Sequence, residues 1–130
     1  MNRNIITIFF IIFILCFHAC LPINQDTSIK VVSIKKIIDK NAADYTICSS
    51  LNLTKEDVLK YFTHAEQVSD YDFNSEAMIL PCKYEGSISI EKNLYQWEII
   101  AGGAGYLYNK SIDKKFLCKD KCFKVLPKLR

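Results

Sequence analysis

Hydrophobic and polar residues alternate with a period of two along the second half of the chain, which predicts β-strands. Tyr84 and Ile88 share a face of one such segment, and Trp97 and Ile99 share a face of the next. Short polar or glycine-containing turns connect the segments, so they predict an antiparallel meander. The strands predicted in this half are residues 84–90, 94–100, 106–108 and 115–118.

The first half of the chain has a pattern typical of an amphipathic helix over residues 54–66. Thr54 is a good N-cap, and Glu56 and Asp57 complement the positive end of the helix dipole. An apolar stripe at helical spacing follows, formed by Val58, Leu59, Phe62 and Ala65. One helix in the N-terminal half packed on a small antiparallel meander predicts an α+β fold of two layers.

Three shorter segments precede this helix. Residues 29–38 are rich in β-branched side chains and are predicted to form a strand, although their apolar spacing also permits a helix. Residues 41–44 are predicted to be a turn. Residues 45–48 are predicted to be a short strand or an extended segment.

The N-terminal region has the pattern of an export signal. A short positive start is followed by an apolar run and by Ala19-Cys20, so residues 1–19 are predicted to be a signal peptide and Cys20 a lipidation site. Leu21 after the cysteine favours the outer membrane. Ordinary cleavage giving a soluble periplasmic or secreted protein, and an uncleaved anchor, remain alternatives. Residues 20–28 then form a tether, 29–126 a single domain and 127–130 a basic tail end.

Four cysteines remain in the mature part of the chain. An even number in a small exported domain predicts two disulfides, for which the sequence permits three connectivities. Three residues separate the last two cysteines, which is not the two-residue spacing of thioredoxin-like enzymes. A four-thiolate zinc site and redox activity are the less favoured alternatives, and no metal or cofactor is predicted. These cysteines are Cys48, Cys82, Cys118 and Cys122.

The net charge is too small to predict nucleic-acid binding. The chain has 17 Lys and Arg against 14 Asp and Glu, a formal charge of +3, and removal of Arg3 with the signal leaves about +2. Acidic residues concentrate in 56–76 and basic residues in 110–130. These two regions are either ordinary solvated faces, or the basic one lies on anionic lipid or an acidic partner.

No pattern of a catalytic site is present in the sequence. The mature part has a single histidine, His64, which is predicted to be a surface residue of the helix. The glycine-rich segment 102–105 lacks the lysine and hydroxyl residue of a phosphate-binding loop and joins two strands, so a hairpin turn explains it better. The protein is therefore predicted not to be an enzyme.

Residues 45–122 contain a set of ordered elements: residues 51–58, Tyr61-Phe62, Val68-Ser69, Tyr71, Pro81-Cys82, Gly86-Ser87, Trp97-Glu98-Ile99, residues 102–105 and Cys118. Together these elements resemble a family of small, functionally uncharacterised proteobacterial exported proteins. The resemblance implies a fold and an address in the cell envelope rather than a reaction. Many members carry two histidines between the positions of Tyr71 and Cys82, and this chain has none there, so histidine chemistry is not transferred.

The dense aromatic residues and the envelope address favour a binding function. Tyr106 and Tyr108, beside the glycine-rich turn, are the tyrosines predicted to be exposed, and tyrosine is enriched where partners bind. An acidic loop is predicted to steer a partner through Glu66, Asp70, Asp72 and Glu76. We predict a membrane-tethered module that binds a protein, such as an immunity or inhibitor protein against a toxin or hydrolase. A structural envelope lipoprotein is the alternative, and the oligomeric state is not predicted.

Overall fold

A computed structural model describes residues 28–130 of the chain. The predicted signal peptide 1–19, the lipidation site Cys20 and nearly all of the tether 20–28 lie outside the described residues. Within residues 28–130, none of the helices has the length and apolar character needed to cross a lipid bilayer.

Residues 28–130 form an α+β fold around one antiparallel sheet of six strands, as the alternation pattern predicts in outline. The strands lie in the order β1-β3-β4-β5-β6-β2, so the meander β3 to β6 is flanked by two strands from earlier in the chain. The strands are β1 (Ile29–Ile38), β2 (Glu66–Val68), β3 (Cys82–Ile90), β4 (Asn93–Ile100), β5 (Ala104–Tyr108) and β6 (Asp113–Leu117).

Two short turns fix the register of the meander. Glu91 and Lys92 connect β3 to β4 with positive φ values of 49° and 68°, and Ile90 pairs with Asn93 across this two-residue turn. Gly102 and Gly103 connect β4 to β5 with φ values of 94° and 93°, where a side chain would be strained. The predicted turn 101–105 is therefore shorter, because Ala104 and Gly105 already belong to β5.

Helix α1 (Lys55–His64) is the helix that the sequence predicts, with both of its N-terminal signals in place. The Thr54 hydroxyl accepts the backbone N–H of Asp57, and the Asp57 carboxylate accepts the backbone N–H of Thr54. This capping box satisfies two backbone donors that the first turn leaves without partners. The helix ends at His64, two residues before the predicted boundary, with Ala65 as its C-cap.

The prediction of one helix was incomplete, and the prediction of an extended segment at 45–48 was wrong. Residues 28–130 contain two further short α-helices, α2 (Asp70–Glu76) and α3 (Asp120–Val125), and two 3₁₀ helices, η1 (Tyr45–Ser49) and η2 (Pro127–Leu129). In η1 the hydroxyl of Ser49 donates to the carbonyl of Thr46, which favours a tight helical turn over an extended chain. The predicted tail end 127–130 forms η2, and Leu129 is buried.

The main core lies between one face of the sheet and the helices α1, α3, η1 and η2. Trp97, Ile88 and Ile99 are fully buried there, in agreement with the predicted alternation. Helix α1 contributes Val58 and Tyr61, both fully buried, whereas Leu59, Phe62 and Ala65 of the predicted stripe are only partly buried. The helix is thus rotated relative to the prediction, with Tyr61 at its centre.

The rotation of α1 depends on a glycine in β5. The Tyr61 hydroxyl donates to the carbonyl oxygens of Gly103 and Phe116, at 3.0 and 3.3 Å. A Cβ at Gly105 would lie 2.5 Å from that hydroxyl oxygen. Gly105 therefore provides the space in which the tyrosine ring packs against the sheet.

Two disulfides connect the covering elements to the sheet, which selects one of the three predicted connectivities. Cys48 in η1 is bonded to Cys82 at the start of β3, and Cys118 after β6 is bonded to Cys122 in α3. The Cα–Cα distances of 5.5 and 5.1 Å lie in the usual range. Disulfides of this kind indicate an oxidising, non-cytoplasmic compartment.

Candidate functional site

The opposite face of the sheet is covered only at one end. Phe73 of α2 packs there on Ile100, Ala104 and Leu117, forming a second, smaller core cluster. Beyond this cluster the residues of β1, β3, β4 and β5 that point away from the main core meet no covering helix in the described part of the chain. We call this surface the open face.

A cleft of ≈ 980 Å³ lies on the open face. Its floor is formed by strand residues, including Lys83, Glu98, Tyr106 and Tyr108, and its walls are the turn at 39–44 and the segment 79–81. The backbone N–H of Asp39 donates to the carbonyl of Pro81 at 2.8 Å, which joins the two walls at one end. The neighbouring disulfide between Cys48 and Cys82 fixes the same end.

An ion cluster occupies the floor of the cleft. Lys83 Nζ lies 2.8 Å from Glu98 Oε2 and 3.4 Å from Glu85 Oε2, and its hydrogen bond to Glu98 raises the lysine pKa. The Tyr108 hydroxyl lies 3.5 Å from Glu98 Oε1. Partial burial, together with the Glu98 charge, raises the pKa of Tyr108. The single lysine of the floor is therefore already engaged by two carboxylates.

Apolar side chains surround this ion cluster. Ile37 and Ile100 lie in the floor, and Ile79 and Leu80 form part of one wall. Ile79 remains 60% exposed, although it lines a concave surface. Apolar walls with a few fixed polar groups are characteristic of a binding site rather than of an ordinary solvated surface.

A smaller hollow of ≈ 390 Å³ adjoins the cleft, and Tyr108 lines both. It lies further along the same strands, over Ser33, Lys35 and Gln96. The hydroxyls of Ser33 and Ser87 are 2.9 Å apart there. The cleft and the hollow therefore form adjoining concavities on the open face.

The structure brings the two predicted tyrosines to the cleft but leaves the four predicted acidic residues outside it. Tyr108 is 37% exposed, whereas Tyr106 is half-buried, with its ring 5.0 Å from that of Phe73. The pair is therefore only partly as exposed as predicted, because α2 covers one side of Tyr106.

The predicted acidic loop 66–76 is not a loop, since it forms β2 and α2. Asp70 pairs with Lys115 at 2.9 Å, and Lys119 pairs with Glu76 at 3.0 Å and with Glu66 at 3.8 Å. Asp72 accepts the Ser69 hydroxyl at the start of α2. Intramolecular partners thus offset much of the negative charge that was predicted to steer a partner.

Reasoning from the sequence missed the cleft residues Lys83, Glu98, Asp39, Asp44 and Asp113. The alternation pattern contained part of the signal, because Glu98 follows Trp97 on a strand and must point to the opposite face. The walls could not be found in this way, since they depend on contacts between segments about 40 residues apart in sequence.

His64 and the serine hydroxyls of Ser49 and Ser50 lie apart from the cleft. His64 is exposed near the end of α1, where its Nδ1 is 2.9 Å from the carbonyl oxygen of Lys60. Ser49 and Ser50 donate to carbonyl groups three residues earlier in the chain. No three His, Cys, Asp or Glu side chains of residues 28–130 come together as a metal site.

Comparison of the chain with protein-family models, with curated proteins and with solved structures gives no match. The resemblance to small proteobacterial exported proteins stays a prediction.

Proposed function

We propose that this protein is an exported, lipid-anchored binding module of the bacterial envelope that holds a segment of a protein partner in the cleft of the open face. The observation that carries the proposal is the asymmetry of the sheet. Helices and disulfides fix one face, while the other presents a concave surface with apolar walls and two tyrosines. Rigid, partly apolar concave surfaces bind at low entropic cost.

The narrower form of the proposal is an immunity or inhibitor protein that blocks a toxin or hydrolase in the envelope. Such a protein must present a preformed surface in an oxidising space, and the main core and two disulfides support that requirement. Tyr106 and Tyr108 further support an immunity or inhibitor role, because tyrosines that a partner buries on binding often contribute much of the binding energy of a protein interface.

Site-specific photo-crosslinking tests whether the cleft holds a protein. A photoreactive amino acid replaces Tyr108 in the cleft, and in the matched control it replaces Tyr71, which is 81% exposed and lies outside the cleft. We expect cells to give one dominant crosslinked protein from position 108 and none from position 71. The crosslinked partner is then identified and tested for loss of its activity on binding.

Equal labelling from both positions, or labelling of abundant envelope proteins only, would contradict the proposal and favour a structural lipoprotein.

Anchoring is tested separately with Cys20→Ser. We expect this variant to lose acylation and to leave the membrane fraction, while a crosslink from position 108 is retained in the soluble fraction.

A further inference from the structure

Carboxylates lie at both ends of the cleft, and they indicate the chemistry of the segment that binds there. Asp39 and Asp44 lie in the wall at one end, and Asp113 lies at the other. Among the described residues, none of these three carboxylates forms an ion pair, in contrast to Glu98 and Glu85, which share Lys83. Four carboxylates, those of Asp39, Asp44, Glu98 and Asp113, therefore line the cleft against Lys83, which is already engaged.

Charge and shape together determine what such a cleft accepts. An anionic segment would meet carboxylates without a cationic partner at both ends, and a purely apolar one would desolvate their charges without supplying a counter-charge. A lysine or arginine side chain can place its apolar stem on Ile79 or Tyr108 and its charge beside a carboxylate. The cleft is thus complementary to lysine and arginine side chains, which carry a positive charge on an apolar stem.

The separation of the carboxylates sets the length of the occupant. Asp39 follows β1 and Asp113 begins β6, so four strand spacings separate them, a distance of about 19 Å measured along the sheet. An extended polypeptide of about 8 residues is long enough to cover this distance. The floor between the ends includes Ile100 and the two tyrosines, which can contact apolar side chains in the middle of that segment.

We propose that the cleft binds an extended basic segment of the partner protein, with a lysine or arginine near each end and apolar side chains between them. This inference rests on the proposed function and specifies its partner. It replaces the prediction that the acidic residues of 66–76 provide the steering surface.

Two triple variants with the same change in charge test the inference. Asp39→Asn, Asp44→Asn and Asp113→Asn together remove the carboxylates of the cleft. Glu66→Gln, Asp72→Asn and Glu76→Gln together remove three carboxylates outside it. Both are made in the full chain, exported and purified with intact disulfides, and amide NMR spectra confirm that each is folded.

The probe is a capped peptide of about 8 residues with an arginine at each end and leucine and serine between them. Its matched counterpart has glutamate in place of arginine. We expect the basic peptide to shift the amide signals of the cleft, and the cleft triple variant to weaken its binding about tenfold or more, since both arginines lose the carboxylates that face them. The outer triple variant should change binding less than about twofold.

Three results would overturn the inference. The acidic peptide could bind as tightly as the basic one, or both triple variants could weaken binding equally, which would reveal only a general charge effect. Sedimentation could instead show a dimer that the cleft triple variant dissociates, in which case a second copy of this chain would be the occupant.

The crosslink from position 108 separates failure of this inference from failure of the proposed function. If a partner still crosslinks to the cleft triple variant with unchanged yield, the proposal of a basic segment is wrong, whereas the proposal that the cleft binds a protein is supported. Loss of the crosslink in the cleft triple variant, with retention in the outer triple variant, would support both.

Discussion

Trp97 and Glu98 are neighbours on β4, yet they belong to the two faces of the sheet, which differ in almost every respect. Trp97 is completely buried under helices on the covered face, whereas Glu98 lies in the floor of the cleft with Lys83 and Tyr108. The covered face uses apolar burial, two disulfides and a capped helix. The open face uses charges, half-buried aromatic rings and concave shape.

This difference indicates how one small domain can combine stability with binding. Stability is concentrated on the covered face, where each fully buried side chain contributes on the order of 1.5–3 kcal/mol. The open face is then free to carry groups that contribute little to folding, such as partly exposed ion pairs. Substitutions on the two faces should therefore separate into effects on stability and effects on binding.

The largest expected effect is that of Trp97→Ala. Removal of this fully buried ring should lower the free energy of unfolding by about 3–5 kcal/mol, because it leaves a large cavity beside Ile88 and Ile99. Gln96→Ala, next to it on the open face, should change the same quantity by less than about 0.5 kcal/mol. Urea unfolding measures the free energy of unfolding of both variants. Equal losses would contradict the claim that stability is concentrated on the covered face.

Removal of the Cys48–Cys82 disulfide should have the next largest effect. The two cysteines are 34 residues apart, and the chain-entropy relation gives a loss of about 4 kcal/mol for a closed loop of that size. Cys118 and Cys122 are 4 residues apart, so their replacement should cost about 2 kcal/mol. Alanine at both positions of each pair, followed by thermal unfolding, provides the ranking, and a reversed order would exclude the loop-length explanation.

Tyr61→Phe should destabilise the covered face by about 1–2 kcal/mol. The variant keeps the ring but leaves the carbonyl oxygens of Gly103 and Phe116 without the hydroxyl donor. Tyr71→Phe is the matched control, because Tyr71 is exposed and removal of its hydroxyl breaks no buried hydrogen bond. Denaturant midpoints of the two variants differ if the buried hydrogen bonds contribute, and coincide if only the ring matters.

The parts of the fold that could be predicted are those with a local pattern in the sequence. The N-cap at Thr54 and the alternation around Trp97 are local patterns, and both predicted their elements correctly. Helices α2 and α3 span only 7 and 6 residues, too few to show a repeated helical pattern of apolar positions, although Ser69 and Asp72 formed a capping signal that could have been recognised.

The burial of Tyr61 and the cleft were not predictable from local patterns. Tyr61 is buried because Gly105, 44 positions later, leaves room for its ring. The cleft forms because Asp39 pairs with Pro81 and because Cys48 is bonded to Cys82. Alternation contained a signal only for residues of its floor such as Glu98, because their neighbours on the strands were already assigned to the core.

Acid should affect the covered face through Asp57. Burial alone would raise the pKa of this carboxyl, but hydrogen bonds from the Thr54 N–H and from the Lys128 ammonium at 3.0 Å outweigh it, so the pKa lies below its ordinary value of 3.8. Its contribution to stability is therefore complete above about pH 4 and is lost as the pH falls through the lowered pKa.

Asp57→Asn should remove that acid dependence and cost about 1 kcal/mol at neutral pH, since the capping and the ion pair with Lys128 are weakened. Unfolding measured between about pH 2 and pH 7 gives the two profiles. Parallel profiles for the variant and the natural protein would show that other carboxylates cause the acid sensitivity.

Apart from the control variants, the smallest effect on stability is expected for Tyr108→Ala, and this variant is the most informative about the open face. The ring is 37% exposed and its hydroxyl is 3.5 Å from Glu98, so its loss should lower the free energy of unfolding by less than about 1 kcal/mol. Binding of the basic peptide should weaken about tenfold, because the same ring lines the cleft between the carboxylates. Calorimetric titration and urea unfolding of one preparation compare the two quantities directly. A large loss of stability with little loss of binding would mean that the open face, like the covered one, serves mainly to hold the fold together.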